Sequence, residues 1–288
     1  MSALIIDGKE IASRIRSQMK SLIIEMKDAH SVVPGLAVIL WSNDPASRLY
    51  VKNKIKACED IGMFSAVYEF GLETQLEEVI ACIKSLNEDP RIHGIMVQLP
   101  IIEKSHETRV LSAISPDKDV DGLHSISAGN LLLDRKGFLP CTPQGILVML
   151  EESGVVIEGM HAVIVGRSNI VGKPISLMLL RKNATVTICH SRTRNLEEHI
   201  KKADILIAAV GKPLFIKADM VKAGATVIDV GINRIDKKVV GDVDFDRVKE
   251  VAGRITPVPG GVGPLTVTML LKNTYRSAYE ELNKNSCS

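Results

Sequence analysis

The chain has 288 residues, enough for one large or two ordinary domains with cores of their own, and its 36 Lys and Arg stand against 34 Asp and Glu. That balance of +2 gives neither a basic face for nucleic acid nor an acidic tail, and 3% aromatic residues are too few for a base-stacking surface. The five cysteines (Cys58, Cys82, Cys141, Cys189, Cys287) are scattered, so neither a zinc site nor a disulfide framework is suggested. Cys58, Cys82 and Cys189 sit in apolar patterns and read as buried, inert thiols. The N-terminus carries no basic region followed by a long apolar run, and no apolar stretch nears the roughly eighteen residues that span a bilayer. A cytoplasmic protein is expected, with no membrane and no nucleic-acid partner.

Taken in order, Asp7 with Glu10 resembles a capping box, and Ile11, Ile15, Met19, Leu22 and Met26 recur at helical spacing to about residue 29. Leu36 to Trp41 is a continuous apolar run, the mark of a parallel strand covered on both faces. Asn43-Asp44-Pro45 predicts the start of a helix to about Ile61, and alternation from Phe64 to Phe70 predicts a second strand. Thr74 with Glu77 caps a helix to about Asn87, and Ile95 to Leu99 is a third strand. A short helix near 108–114 precedes Pro116 to Gly122, a loop by its charge and turn formers. Thr142-Pro143 caps a helix to about Ser153, after which a second strand series runs through 162–165, 185–189, 205–210 and 226–230. Asn233 to Val243 reads as a hairpin with Lys237 and Lys238 at its turn, Pro257 to Pro264 as a rigid glycine-lined loop, and Leu265 to about Asn283 as a last helix. Two strand–helix series imply an α/β fold of two domains, each with a mostly parallel sheet. The first, 1–142, is completed by the returning C-terminal helix, 265–288. The second, 143–264, is Rossmann-like.

Val163 to Pro174 carries a strand into a glycine loop and then a helix, a layout that either merely turns the chain or holds a phosphate on backbone N–H groups. Gly166 and Gly172 lie six positions apart, and Ser168 stands where the common fingerprint has its middle glycine. The next strand ends in His190-Ser191-Arg192, with no acid for a ribose hydroxyl. Arg167, Ser191 and Arg192 suit a 2′-phosphate, which favours NADP over NAD. Ser47, Tyr50 and Lys54 share one helix face, as a solvated stripe or as a site, with Leu49, Ile55 and Ile61 left to anchor the helix. Gln98 ends an apolar strand, as an ordinary polar terminus or as a group aimed into the crevice at the sheet's carboxyl end. Asp119 and Asp121 stand in a loop that is either solvated or offers a carboxylate to paired N–H donors. Lys54 is the candidate for proton transfer, provided that burial lowers its pKa.

Together, Tyr50-Val-Lys-Asn-Lys54, Val97-Gln-Leu-Pro100, Asp119-Val-Asp-Gly122, Gly166 to Pro174 and Pro257 to Thr266 resemble the successive signatures of bacterial bifunctional methylenetetrahydrofolate dehydrogenase/cyclohydrolases, over nearly the whole chain and in order. The resemblance implies NADP-dependent oxidation of 5,10-methylenetetrahydrofolate to the methenyl form and its hydrolysis to 10-formyltetrahydrofolate in one cleft. It implies Lys54 as the proton-transfer residue, Gln98 as its partner, Tyr50 stacked on the aminobenzoate ring and Asp121 on the pterin's amino edge. Ser47, on the same face, is taken with the substrate residues. Gly166, Arg167, Ser168 and Ser191 match cofactor-phosphate positions, Ile232 matches a position whose backbone faces the nicotinamide, and Gly263 and Thr266 match a loop over both ligands. Arg192 as a phosphate ligand rests on charge alone. The way related enzymes assemble, with the hairpin, implies a homodimer through the cofactor domain. Rival readings are a shikimate-type dehydrogenase acting on another small substrate and a non-catalytic NADP-binding sensor.

Overall fold

The computed structural model describes residues 2–236 and 238–285, so Lys237 and Cys287 lie outside the described residues. Along the chain run β1 (Leu4–Ile5), α1 (Gly8–His30), β2 (Gly35–Leu40), α2 (Pro45–Ile61), β3 (Phe64–Glu69), α3 (Leu76–Glu88), β4 (Gly94–Val97), α4 (Glu107–Ser112) and α5 (Ser125–Leu132). There follow α6 (Cys141–Glu152), β5 (His161–Val165), α7 (Gly172–Arg181), β6 (Thr185–Cys189), α8 (Leu196–Ile200), β7 (Ile205–Ala208) and β8 (Thr226–Asp229). The last elements are β9 (Asn233–Ile235), β10 (Lys238–Val240), α9 (Phe245–Val248), β11 (Arg254–Ile255) and α10 (Val262–Asn285). The chain divides into two compact units: Arg14–Leu139 with the segment from Val267 onward, and the residues up to Ser13 with Pro140–Thr266.

In the first of these units, β2 lies between β3 and β4 in a parallel three-stranded sheet. Every residue of β2 is buried, as its unbroken Gly-Leu-Ala-Val-Ile-Leu run requires. Ala37, Ile39, Ile95 and Val97 of the sheet pack with Val79, Ile83 and Leu86 of α3 into one apolar cluster. The C-terminal part of α10 belongs here, where Asn273 Nδ2 donates to the Val120 carbonyl at 2.8 Å and Ser277 Oγ to that of Asp117 at 2.9 Å.

The other unit holds a six-stranded sheet in the order β1-β11-β8-β7-β5-β6, parallel at every pairing, and the separate antiparallel hairpin β9–β10. Val163, Val165, Leu206, Ala208, Val227 and Ile255 form the centre of its core. At the N-terminus β1 pairs with β11, so Leu4 and Ile5 belong to this sheet, and the compact unit that holds it takes in the chain up to Ser13.

Several element starts also differ. The expected Thr74–Glu77 cap is displaced by one residue, because the Gln75 N–H donates to Glu78 Oε1 at 3.0 Å and α3 begins at Leu76. Thr142 lies inside α6, which begins at Cys141 after the fixed φ of Pro140. The loop expected up to Pro264 ends sooner, and α10 begins at Val262, placing Gly263 and Pro264 in its first turn. Of the residues expected to anchor α2, Ile61 is buried but Leu49 is 47% exposed, and Val51, Ala57 and Cys58 are buried in its place.

Candidate active site

Asp44 starts α2 in extended backbone and accepts the Ala46 N–H at 3.0 Å, with Pro45 at the first helical position where its missing N–H costs nothing. The Ser47 hydroxyl, 1% exposed, donates to the other oxygen of Asp44 at 3.3 Å and so belongs to the helix cap. One and two turns on stand Tyr50, 37% exposed, and the half-buried Lys54. Lys54 Nζ donates to Gln98 Oε1 at 2.7 Å across 44 positions of sequence. Gln98 follows the last residue of β4, its N–H donates to the Ile39 carbonyl at 2.9 Å, and its Nε2 donates to the Leu99 carbonyl at 2.7 Å. With the amide nitrogen turned to the backbone, the oxygen faces the lysine. The helix and the strand end thereby bring Lys54 and Gln98 together.

In the next loop, two aspartates two positions apart have different environments. Asp119, 1% exposed, accepts from the Leu123 N–H at 3.1 Å, the His124 N–H at 2.9 Å and the Ser127 hydroxyl at 2.6 Å. Burial pushes its carboxyl above the usual range, against the opposing pull of those donors. This carboxylate folds the loop onto α5. Between the two, Val120 is held at its carbonyl by Asn273, which leaves the half-buried Asp121 on an anchored backbone. Among the described residues no group of three or more His, Cys, Asp or Glu side chains is placed to hold a metal ion.

In the six-stranded unit the glycine loop leaves β5 at Gly166, with φ of 135°. A Cβ there would lie 2.2 Å from the Ala209 carbonyl oxygen, and one at Gly172 would lie 2.2 Å from that of Gly166. Both positions therefore demand glycine for the backbone's own packing. Ser168 Oγ accepts the N–H groups of Val171 at 3.1 Å and Gly172 at 3.3 Å at the start of α7, and its own proton remains to be donated. Gly166 N–H donates to the Cys189 carbonyl at 2.9 Å, so the loop after β5 runs beside the turn after β6. Arg167, Ser168, Ser191 and Arg192 are all exposed at these neighbouring ends. Two guanidinium groups and two hydroxyls with no acid in either segment form a donor set that fits a 2′-phosphorylated dinucleotide. Ile232, 54% exposed, follows β8. Thr266, in the second turn of α10, shares a 3.0 Å hydroxyl contact with Thr142 of α6.

Two residues of this unit were missed in the sequence. Asp229 and Asp242 are 3% and 0% exposed. Asp229 accepts the N–H groups of Gly231, Asp242 and Val243, each at 2.9 Å, while Asp242 accepts those of Val210 at 2.6 Å and Gly211 at 2.9 Å and the Asn233 amide at 2.8 Å. They lace together the chain leaving β7, the chain leaving β8 and the end of the hairpin. Burial drives the Asp229 carboxyl up to about 6 against these amides, with the neighbouring Asp242 adding to the rise. The one signal was an acid closing the apolar run Thr226-Val-Ile-Asp229.

Residues 6–121 match the catalytic domain of tetrahydrofolate dehydrogenase/cyclohydrolase, and residues 140–282 match its NAD(P)-binding domain. The bifunctional protein FolD of Halalkalibacterium halodurans is 56% identical over 97% of this chain and 100% of its own length. The crystal structure of the bifunctional methylenetetrahydrofolate dehydrogenase/cyclohydrolase FolD from Campylobacter jejuni superposes with a TM-score of 0.94 at 44% identity, covering 97% of this chain and 100% of that one. The Trypanosoma brucei N5,N10-methylenetetrahydrofolate dehydrogenase-cyclohydrolase, solved with NADP and an inhibitor, has a TM-score of 0.94 at 34% identity, with 98% and 99% covered. With both domain models matched in order and a relative this similar end to end, the chain belongs to the tetrahydrofolate dehydrogenase/cyclohydrolase family.

Proposed function

We propose that the chain oxidises 5,10-methylenetetrahydrofolate to the 5,10-methenyl form with NADP and hydrolyses that product to 10-formyltetrahydrofolate. The observation that carries this reading is the 2.7 Å Lys54–Gln98 pair, in the same compact unit as the anchored Asp121 loop. NADP, when bound, supplies the hydride acceptor. For that step the chain's residues orient and do not transfer protons: Tyr50 stacks on the aminobenzoate ring and Asp121 accepts the paired N–H groups of the pterin. Hydrolysis differs. Neutral Lys54 takes a proton from the water attacking the methenyl carbon and returns it to the ring nitrogen as the carbon–nitrogen bond breaks. Cation plus water become a neutral formamide with one proton released. Gln98, its oxygen fixed toward Nζ, holds the amine in line, and a lysine so placed contributes about a hundred- to ten-thousand-fold.

Gly166, Arg167, Ser168, Ser191 and Arg192 would hold the cofactor's phosphates, the Ile232 backbone would serve its nicotinamide end, and Gly263 and Thr266 would border the ligands. The test is an absorbance assay for NADPH formation with methylenetetrahydrofolate, paired with loss of the methenyl absorbance. Activity with another substrate only would favour the shikimate-type alternative, and cofactor binding without turnover would favour a sensor. A homodimer through the cofactor domain belongs to the same proposal. It is supported by the β9–β10 hairpin, whose strands pair, among the described residues, with each other alone and whose Ile235 is 39% exposed. A monomer in sedimentation at micromolar concentration would count against it.

A further inference from the structure

The turn that presents Ser191 and Arg192 is closed by a histidine to which the proposed mechanism gives no role. It begins at Cys189, wholly buried at the end of β6 and in register with Val165 of β5. The Thr193 N–H donates to the His190 carbonyl at 2.9 Å, and the His190 N–H donates to Thr193 Oγ1 at 2.8 Å. A third bond uses the side chain: the Arg192 N–H donates to His190 Nδ1 at 3.1 Å. An acceptor two bonds beyond Cβ that takes the N–H of residue i+2 is the arrangement by which Asn and Asp build Asx turns, and here an imidazole occupies it. For Nδ1 to accept, the ring's proton must sit on Nε2.

We propose that His190 is a positioning residue for cofactor choice, its Nδ1 holding the Arg192 backbone so that Ser191 and Arg192 face the 2′-phosphate of NADP. This rests on the reading above that Ser191 and Arg192 contact that phosphate. Without the acceptor, the turn keeps its backbone bond and its threonine bond but loses the one that fixes the residue carrying the guanidinium. Affinity for a 2′-phosphorylated ligand should then fall while affinity for the same ligand without that phosphate is kept.

The test is calorimetric titration of the whole protein with 2′,5′-ADP and with 5′-AMP, beside kcat/KM for NADP and for NAD. His190→Ala is expected to weaken 2′,5′-ADP about three- to tenfold, the size of one net hydrogen bond, with 5′-AMP within about twofold. His190→Asn, whose amide oxygen can accept the same N–H, is expected to restore most of the loss. Where the alanine variant fails to fold, His190→Gln, with its amide one bond further out, serves as the comparison for His190→Asn. Equal weakening of both ligands would overturn the inference by making His190 merely structural. Failure of Asn to rescue would overturn it by assigning the effect to the imidazole itself. If Arg192→Ala loses the preference and His190→Ala keeps it, this inference alone is wrong. If neither Arg192→Ala nor Ser191→Ala changes the preference, the phosphate reading beneath it has failed instead.

Discussion

The two units build their sites in different ways. Around Lys54 the groups proposed to work are side chains on rigid elements: a lysine on a capped helix, a glutamine at a strand end, an aspartate in a loop held at the Val120 carbonyl. In the six-stranded unit much of the proposed site is backbone, turned by Gly166 and Gly172, while Asp229 and Asp242 gather the backbone that leaves β7 and β8. A side chain that performs chemistry can be removed with the fold intact, whereas a carboxylate that gathers three donors cannot be removed without leaving them unpaired. The difference predicts that substitutions in the first unit will divide between activity and stability, while those at Asp229 and Asp242 will alter both.

The largest effect expected is at Lys54. Lys54→Met keeps the length and apolar stem of the side chain, so the helix should hold while the amine is lost. Hydrolysis of methenyltetrahydrofolate should fall by about a hundred- to ten-thousand-fold, with a measurable share of NADP reduction remaining, since that step depends on orientation. A folded Lys54→Met protein hydrolysing the methenyl substrate at the wild-type rate, above the spontaneous reaction, would remove Lys54 from the mechanism. It would also break the contrast between the units.

Asp119 and Asp121 sharpen the contrast within a single loop. Asp119→Ala leaves the Leu123 and His124 N–H groups and the Ser127 hydroxyl without their acceptor, and should cost on the order of 3 kcal/mol in denaturant titration. Asp121→Ala should cost about 1 kcal/mol or less and depress both reactions together, because it removes a shared substrate anchor. If the two variants exchange these phenotypes, the roles assigned to the two carboxylates are reversed.

What could be read in the sequence follows the same division. Lys54, Gln98 and the glycine loop were legible because helical spacing, an amide closing an apolar strand and a strand–glycine–helix order are local patterns. The strands β2 to β8 were legible from apolar runs or, for β3, from alternation. The strands β1 and β11 were not: each has two residues, too short for any periodicity, and each exists only through its pairing. The helix α5, Ser-Ile-Ser-Ala-Gly-Asn-Leu-Leu, contains weak helix formers and is ordered by Asp119 and the capping His124, a signal that lies outside it. The roles of Asp119, Asp229 and Asp242 were hidden for the reason that makes them structural. Most of their partners are backbone N–H groups, which every residue but proline carries.

The smallest expected effect probes the carboxylate hub at the ends of β7 and β8. Burial raises the Asp229 carboxyl from its ordinary 3.8 to about 6, so the folded chain binds this proton more tightly than the unfolded chain does. The stability contributed by that proton is therefore fully present below about 3.8 and is lost as pH rises through about 6. Asp229→Asn removes the titration, though it also loses an acceptor and should be less stable throughout. Thermal melts of both proteins at pH 7 and pH 5 isolate the effect, because every other carboxyl group is common to the two. The wild-type advantage should widen at pH 5 by about 1 kcal/mol. An advantage that stays constant or narrows would show that the amides of Gly231, Asp242 and Val243 outweigh burial and hold Asp229 ionised. In that case the backbone amides, and not burial, would set the charge of this hub.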